Sequence, residues 1–292
     1  MNKRIGRLTF VVSFVMIWAA SSCLASDQVP SAPTGPKVQI ELQPKDKLPS
    51  SPGYFIVDAQ VTVDQQQFAM SFALFLPPAY FRSKEPLPII MTLHNKGLTG
   101  TGGRGLAIEG MAMLWVRDEW DSRNTLPQPD NALVMRKSAQ FVGIAPQCPP
   151  DHVFDEEPTP QILAELATQV AKIFHADDDR VYLTGFSYGG LATWRVAEQT
   201  PKRWAAIVPL SCRPSDDPAK TVQALKDMPI YLATGTEDWA LPFCQQWHEA
   251  LKAGGHSNFV FHITPGGTHW AYHSVYTDPQ FMDWLFAQKR NK

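Results

Sequence analysis

Two segments near the start of the chain alternate apolar and polar residues, Tyr54–Val63 and Phe68–Leu76. The polar run Asp64-Gln65-Gln66-Gln67 separates them and Pro77-Pro78 follows. Period-two alternation on either side of a polar turn predicts an antiparallel hairpin. A shorter run at Val38–Leu42 suggests an edge strand beside it. Further on, the alternation gives way to compact apolar runs at 87–93, 141–145, 181–183, 205–210, 230–233 and 259–263. Between them lie stretches with apolar residues at helical spacing: 105–115, 162–174, 191–199, 221–225, 242–253 and 279–288. Uninterrupted apolar strands alternating with helices predict a mainly parallel sheet covered on both faces. The expectation is an α/β domain of about eight strands, with helices on both faces and an N-terminal antiparallel hairpin. Two stretches, 116–140 and 147–160, are too long for simple connections, and both follow predicted strands on the side where active-site loops gather.

The ends divide the chain. Lys3, Arg4 and Arg7 precede an apolar core from Leu8 to Ala20, followed by Ser21-Ser22-Cys23-Leu24-Ala25. A basic start, a short apolar core and small residues form an export signal. Cleavage after Ala25 is one reading; Cys23 as a lipidated first residue is the other, and only then does the chain meet a membrane. Residues 26–52 carry six prolines and read as a linker or extended arm, which leaves 53–292 as the α/β domain. The composition is that of an ordinary globular protein, 44% hydrophobic and 18% charged, with a net charge of −2. No basic footprint for nucleic acid is present.

The chemistry concentrates around Gly185-Phe186-Ser187-Tyr188-Gly189. This matches G-x-S-x-G between a predicted strand, Arg180–Thr184, and a predicted helix. Strand, sharp turn and helix make a nucleophile elbow, so Ser187 is the candidate nucleophile. A serine hydroxyl needs a base, and the base needs an acid to orient it. In elbow proteins these follow in the order Ser, acid, His. The acid is expected at Asp238, in the loop after the 230–233 strand, with Glu237 as its neighbour and alternative. The base is expected at His269 in Gly266-Gly267-Thr268-His269-Trp270, with His273 as rival. His269 and His273 have the spacing of a metal pair, but H-E-x-x-H lacks its Glu here, so neither metal nor cofactor is expected. For the oxyanion, two N–H donors are needed: Tyr188, directly after the nucleophile, and Asn95 or Lys96 in Leu93-His94-Asn95-Lys96-Gly97. Trp239, Trp270 and Tyr188 adjoin the acid, the base and the nucleophile. Trp270 and Trp239 in particular are candidate substrate-binding residues suited to a short or aromatic acyl group.

With Leu93-His94, Ala145-Pro146-Gln147-Cys148-Pro149, Gly185 to Gly189, Pro209-Leu210-Ser211-Cys212, Gly235 to Asp238, His269 and Asp278-Pro279…Trp284-Leu285, the chain resembles the secreted esterase branch of the α/β-hydrolases. That branch includes the polyhydroxybutyrate-depolymerase-like and feruloyl-esterase-like enzymes and the carboxylesterases described as predicted peptidases. The resemblance runs from about Tyr54 to the end. It implies the α/β-hydrolase fold and a serine carboxylic-ester hydrolase acting on a small-molecule or polymer-attached ester. A peptidase using the same three residues, and a binding protein that keeps the fold without activity, remain as alternatives.

Two further features bear on this reading. Gly100-Thr101-Gly102-Gly103-Arg104-Gly105 contains G-x-G-x-x-G, but it begins seven residues after Leu93, too late for a dinucleotide turn. Three cysteines follow Cys23: Cys148, Cys212 and Cys244. The strands preceding Cys148 and Cys212 are expected to flank the elbow strand, which places these two near each other, roughly 9–10 Å apart. A bridge between them then requires the loops to bend inward.

Overall fold

The computed structural model describes residues 36–43, 49–99, 106, 110–116, 139–149, 151–213, 215 and 217–290. The segment 1–25 expected to be an export signal, with Cys23, the glycine-rich run 100–105 and most of the 116–140 stretch lie outside these residues.

Nine strands form one sheet: β1 (Val38–Gln43), β2 (Gly53–Val63), β3 (Gln66–Leu76), β4 (Pro88–Leu93), β5 (Val142–Pro146), β6 (Asp177–Phe186), β7 (Ala206–Leu210), β8 (Ile230–Gly235) and β9 (Phe259–Thr264). Their spatial order is β1-β2-β3-β5-β4-β6-β7-β8-β9. The hairpin β2–β3 pairs Val63 with Gln66 at its turn and Gly53 with Leu76 at its far end. β1 adds antiparallel to β2, and β3 pairs antiparallel with β5. From β5 to β9 every pairing is parallel.

The helices are α1 (Gly110–Val116), α2 (Thr159–Ile173), α3 (Tyr188–Gln199), α4 (Pro218–Ala224), α5 (Leu241–Ala253), α6 (Tyr272–Thr277) and α7 (Pro279–Ala287). Strand residues alternate between two cores, which is why the central strands read as unbroken apolar runs. Val181, Leu183, Ile89 and Met91 pack into one core with Leu166, Trp194 and Trp247 of α2, α3 and α5. Tyr182, Ile90 and Val208 pack into the other with Met111, Tyr276 and Phe281 of α1, α6 and α7. Trp194 and Trp247 stack at 3.9 Å between α3 and α5.

Two expectations change. β6 begins at Asp177, three residues before the predicted strand Arg180–Thr184. Asp177-Asp178-Asp179 has no apolar pattern, yet it is held in line by the Asp177 N–H on Leu87 and by arginines from elsewhere. The second change concerns the cysteines. β5 does not flank β6, because β4 lies between them. The strands preceding Cys148 and Cys212 are therefore three spacings apart, roughly 14 Å, and the adjacency on which the expected proximity rested is absent. The chain returns to the outside of β4 before crossing back, an order that sequence succession does not reveal. Cys148, Cys212 and Cys244 are free thiols, all buried. The neighbour of Cys212 is Cys244, whose Sγ lies 3.7 Å from the Cys212 carbonyl.

Candidate active site

The elbow is shaped by collisions that only glycine avoids. A Cβ on Gly185 would meet the backbone carbonyl of Gly189, and one on Gly189 would meet that of Leu93. With those glycines in place, β6 turns directly into α3. Ser187 sits between them at φ 59°, ψ −116°. For a residue with a side chain this conformation costs about 1–3 kcal/mol. It is held by the Ser187 N–H on the Leu210 carbonyl at 3.0 Å and by the Leu191 N–H on the Ser187 carbonyl at 3.1 Å. Its hydroxyl stands at the amino end of α3, where unsatisfied N–H groups and the helix dipole favour negative charge.

Ser187, His269 and Asp238, from three separate loops, meet here. His269 Nε2 lies 3.1 Å from Ser187 Oγ, and His269 Nδ1 lies 2.8 Å from Asp238 Oδ1. Asp238 is buried, whereas the neighbouring Glu237 is exposed. Asp238 Oδ1 also accepts the Ala240 N–H at 2.8 Å, and Oδ2 accepts the Thr234 hydroxyl at 3.0 Å. Burial pushes its carboxyl up, but hydrogen bonds from His269 and Ala240, the nearby Ser211 hydroxyl and the charge of His269 outweigh burial and hold it down at about 2. Ser211 Oγ lies close enough to favour the charged carboxylate without adopting hydrogen-bond geometry. An ionised carboxylate only accepts, so Nδ1 of His269 carries the proton and Nε2 is left to accept one from Ser187. His273 lies on α6 with its ring edge-on to Tyr272 at 4.2 Å. Among the described residues, no group of three metal-ligating side chains comes together.

The loop after β4 forms a 3-10 turn, Lys96–Leu98, capped by Asn95 in an extended conformation. Three of its N–H groups are committed within the turn: Gly97 to Asn95 Oδ1, Leu98 to the Asn95 carbonyl and Thr99 to the Lys96 carbonyl. Asn95 and Lys96, the two residues expected as oxyanion donors, contribute none of these three N–H groups.

The aromatic surroundings differ from expectation in one respect. Trp239 and Trp270 are 51% and 44% exposed. The Trp239 ring lies 4.7 Å from that of His269, and Trp270 packs against Phe186 at 5.7 Å. Tyr188, however, is engaged by a different segment: its hydroxyl donates to Asp155 at 2.8 Å, and its ring stacks on Phe154. Several contributors were not anticipated. Phe186 supports the His269 ring at 4.7 Å. Thr234 and Ala240 hold the acid. The Arg213 guanidinium lies 5.5 Å over Trp239. Only the x position of G-x-S-x-G pointed to Phe186; nothing local marked Arg213.

Residues 151–276, which include Ser187, Asp238 and His269, match the dienelactone hydrolase family. A bifunctional acetylxylan esterase/xylanase of Neocallimastix patriciarum is 29% identical over 118 residues, which are 37% of this chain and 17% of that protein's length. The feruloyl esterase module of Clostridium thermocellum, solved as an S954A mutant with sinapinate, is 17% identical. The match covers 89% of this chain and 92% of the module, with a TM-score of 0.56. An S-formylglutathione hydrolase from Agrobacterium tumefaciens is 16% identical, with 82% and 98% covered and a TM-score of 0.55. The parallel β5–β9 sheet beside an antiparallel hairpin, the helices on both of its faces and these structural likenesses together show that the chain has the α/β-hydrolase fold.

Proposed function

We propose that the chain is an exported serine carboxylic-ester hydrolase acting through an acyl-enzyme. The observation that carries this reading is the hydrogen-bonded line Ser187–His269–Asp238, with the serine on a strained elbow at a helix amino end. His269 Nε2 takes the Ser187 proton as Oγ attacks the ester carbonyl. The imidazolium that forms is stabilised by the buried Asp238 carboxylate. The tetrahedral oxyanion is received by the Tyr188 N–H and by that of Asn95 or Lys96. His269 then gives its proton to the leaving alcohol. Water, deprotonated by the same nitrogen, releases the acid and restores Ser187.

The substrate reading is a short or aromatic acyl ester, free or attached to a polymer. Trp239 and Trp270 support it as two exposed flat surfaces beside His269. The acetylxylan and feruloyl esterases among the similar proteins point the same way. Export rests on the basic and apolar residues of the first 25.

The test is Ser187→Ala assayed beside wild type on nitrophenyl acetate, a feruloyl ester and a palmitoyl ester. Wild type should favour the first two. Ser187→Ala should lose on the order of 10³-fold or more of its activity and all labelling by a fluorophosphonate probe. Near-full activity in the variant would overturn the mechanism. A wild-type preference for palmitate would overturn the substrate reading alone.

A further inference from the structure

The two sides of the oxyanion site come from elements 92 residues apart in sequence, the loop after β4 and the start of α3. Each is short, and their separation sets where the two N–H groups point. One segment, Gln147–Asp155 after β5, touches both.

On the first side, His94 is buried and its ring is fixed by backbone groups. Nδ1 lies 2.7 Å from the Asn95 carbonyl, which only accepts. Nε2 receives the Cys148 N–H at 3.1 Å, which only donates. The ring is therefore the neutral Nδ1–H tautomer; burial, which lowers its pKa, acts in the same direction. Gln147 Nε2 reaches His94 Nε2 at 3.1 Å and the Leu98 carbonyl at 3.2 Å, spanning the 3-10 turn from end to end. Gln147 is itself pinned to the sheet by its N–H on Ser71 at 2.9 Å.

On the second side, Asp155 accepts the Tyr188 hydroxyl at 2.8 Å, and its carbonyl accepts Gln199 Nε2 at 3.0 Å, so the segment grips both ends of α3. Phe154 lies between the two sides. It is fully buried, with its ring 4.6 Å from that of His94 and 6.4 Å from that of Tyr188.

We propose that Gln147, Phe154 and Asp155 form a clamp that fixes the distance between the two oxyanion donors. They are positioning residues: they act through His94 and Tyr188 and do not touch substrate. This rests on the esterase reading above. Its physical basis is that an oxyanion site works by pre-organisation, so a displacement of about 1 Å in a donor costs up to about 10²-fold in rate. Ground-state binding of substrate, which does not use the oxyanion geometry, is left alone.

The experiment compares wild type with Tyr188→Phe, Asp155→Ala, Asp155→Asn and Gln147→Ala. It measures kcat and KM on nitrophenyl acetate, the inhibition constant of phenylboronic acid, which forms a tetrahedral adduct on the serine, and the melting temperature. Tyr188→Phe removes one oxygen from a half-buried side chain and keeps the backbone donor, so it remains measurable if Gln147→Ala does not fold. The expected result is a fall in kcat of about 10- to 100-fold with KM little changed. Boronate affinity should weaken by the same factor. Asp155→Asn, whose side-chain carbonyl still accepts from Tyr188, should recover most of both. Variants that melt earlier but keep wild-type kcat and boronate affinity would overturn the clamp and leave the esterase reading standing. A wild type that neither hydrolyses the ester nor labels at Ser187 would overturn both.

Discussion

Strand β6 carries polar residues at both ends, and the two ends use them differently. Its amino end holds Asp177, Asp178 and Asp179 against Arg180, Arg203 and Arg290, at 2.7 to 3.2 Å. Each aspartate there has an arginine partner, and the groups neutralise one another where the strand leaves the core. The carboxyl end passes into Ser187, whose backbone is strained and whose hydroxyl meets one base, His269. Charge at the first end is arranged to stay as it is. At the second end the proposed mechanism moves it. Mutual neutralisation marks structure, whereas strain beside an ionised but buried acid marks chemistry. Substitutions at the two ends should accordingly separate stability from activity.

The largest expected effect is at the carboxyl end. Asp238→Asn keeps an oxygen in place for the Ala240 N–H and His269 Nδ1 but removes the charge that is proposed to stabilise the imidazolium. Ester turnover should fall on the order of 10²- to 10⁴-fold with the fold intact by circular dichroism. The same residue sets a pH signature. Its folded carboxyl is held at about 2, below the ordinary 3.8, because burial, which raises it, is outweighed by His269, Ser211 and Ala240, which favour the charged form. The unfolded chain therefore binds the proton first as pH falls. The stability contributed by Asp238 is full above about pH 4 and is lost as pH falls through about 2. In thermal melts from pH 5 to 2, Asp238→Asn should show a flatter decline than wild type. Parallel curves would mean that Asp238 is not held ionised, and that the proposed tautomer of His269 has no basis.

The two ends also differ in how far they could be read from sequence. The elbow was legible because its spacing is dictated by backbone collisions at Gly185 and Gly189, which leave no other residue type possible. Ser187, Asp238 and His269 followed, since each sits at the end of an apolar strand that is plain in the pattern. The amino end of β6 was not legible. Its partners, Arg203 and Arg290, lie 25 and 112 residues from Asp178, and no local periodicity marks such pairs. The same reason hid the contact of Tyr188 with Asp155 and the place of β5 outside β4. Local pattern identifies elements; the order in which they lie side by side is decided by packing between distant segments.

A second way to sharpen the comparison is Arg203→Met. Arg203 is buried, with its guanidinium 2.9 Å from Asp178. Methionine keeps much of the apolar stem and removes the charge. Loss of one member of a buried pair generally costs 3–5 kcal/mol, but Asp178 is 47% exposed and keeps Arg290 at 2.9 Å. The expected loss is therefore about 1–2 kcal/mol, seen as a drop in melting temperature of a few degrees, roughly 2–8 °C. The kcat on nitrophenyl acetate should stay at the wild-type value. A fall in kcat with unchanged stability would break the division between the two ends.

The smallest effect is expected from Arg180→Ala, and it tests whether the amino end is a set of weak surface pairs or a network with a buried centre. Arg180 Nε lies 2.7 Å from Asp177 Oδ2, and its Nη2 donates to the Pro86 carbonyl at 3.2 Å. The geometry is as short as that of Arg203, but the side chains are 31% and 21% exposed, so water competes for both charges and salt screens them. Such a pair contributes about 0.2–1 kcal/mol. If the network centres on Arg203, Arg180→Ala lowers stability by no more than about 1 kcal/mol. Its effect then adds to that of Arg203→Met in the double variant, because the two arginines contact different aspartates. The measurement is a double-mutant cycle by urea denaturation at low and high salt. A coupling that survives high salt would show that the three aspartates act as one unit. The amino end of β6 would then be rigidly organised to the same degree as the elbow, and the contrast would rest on chemistry alone.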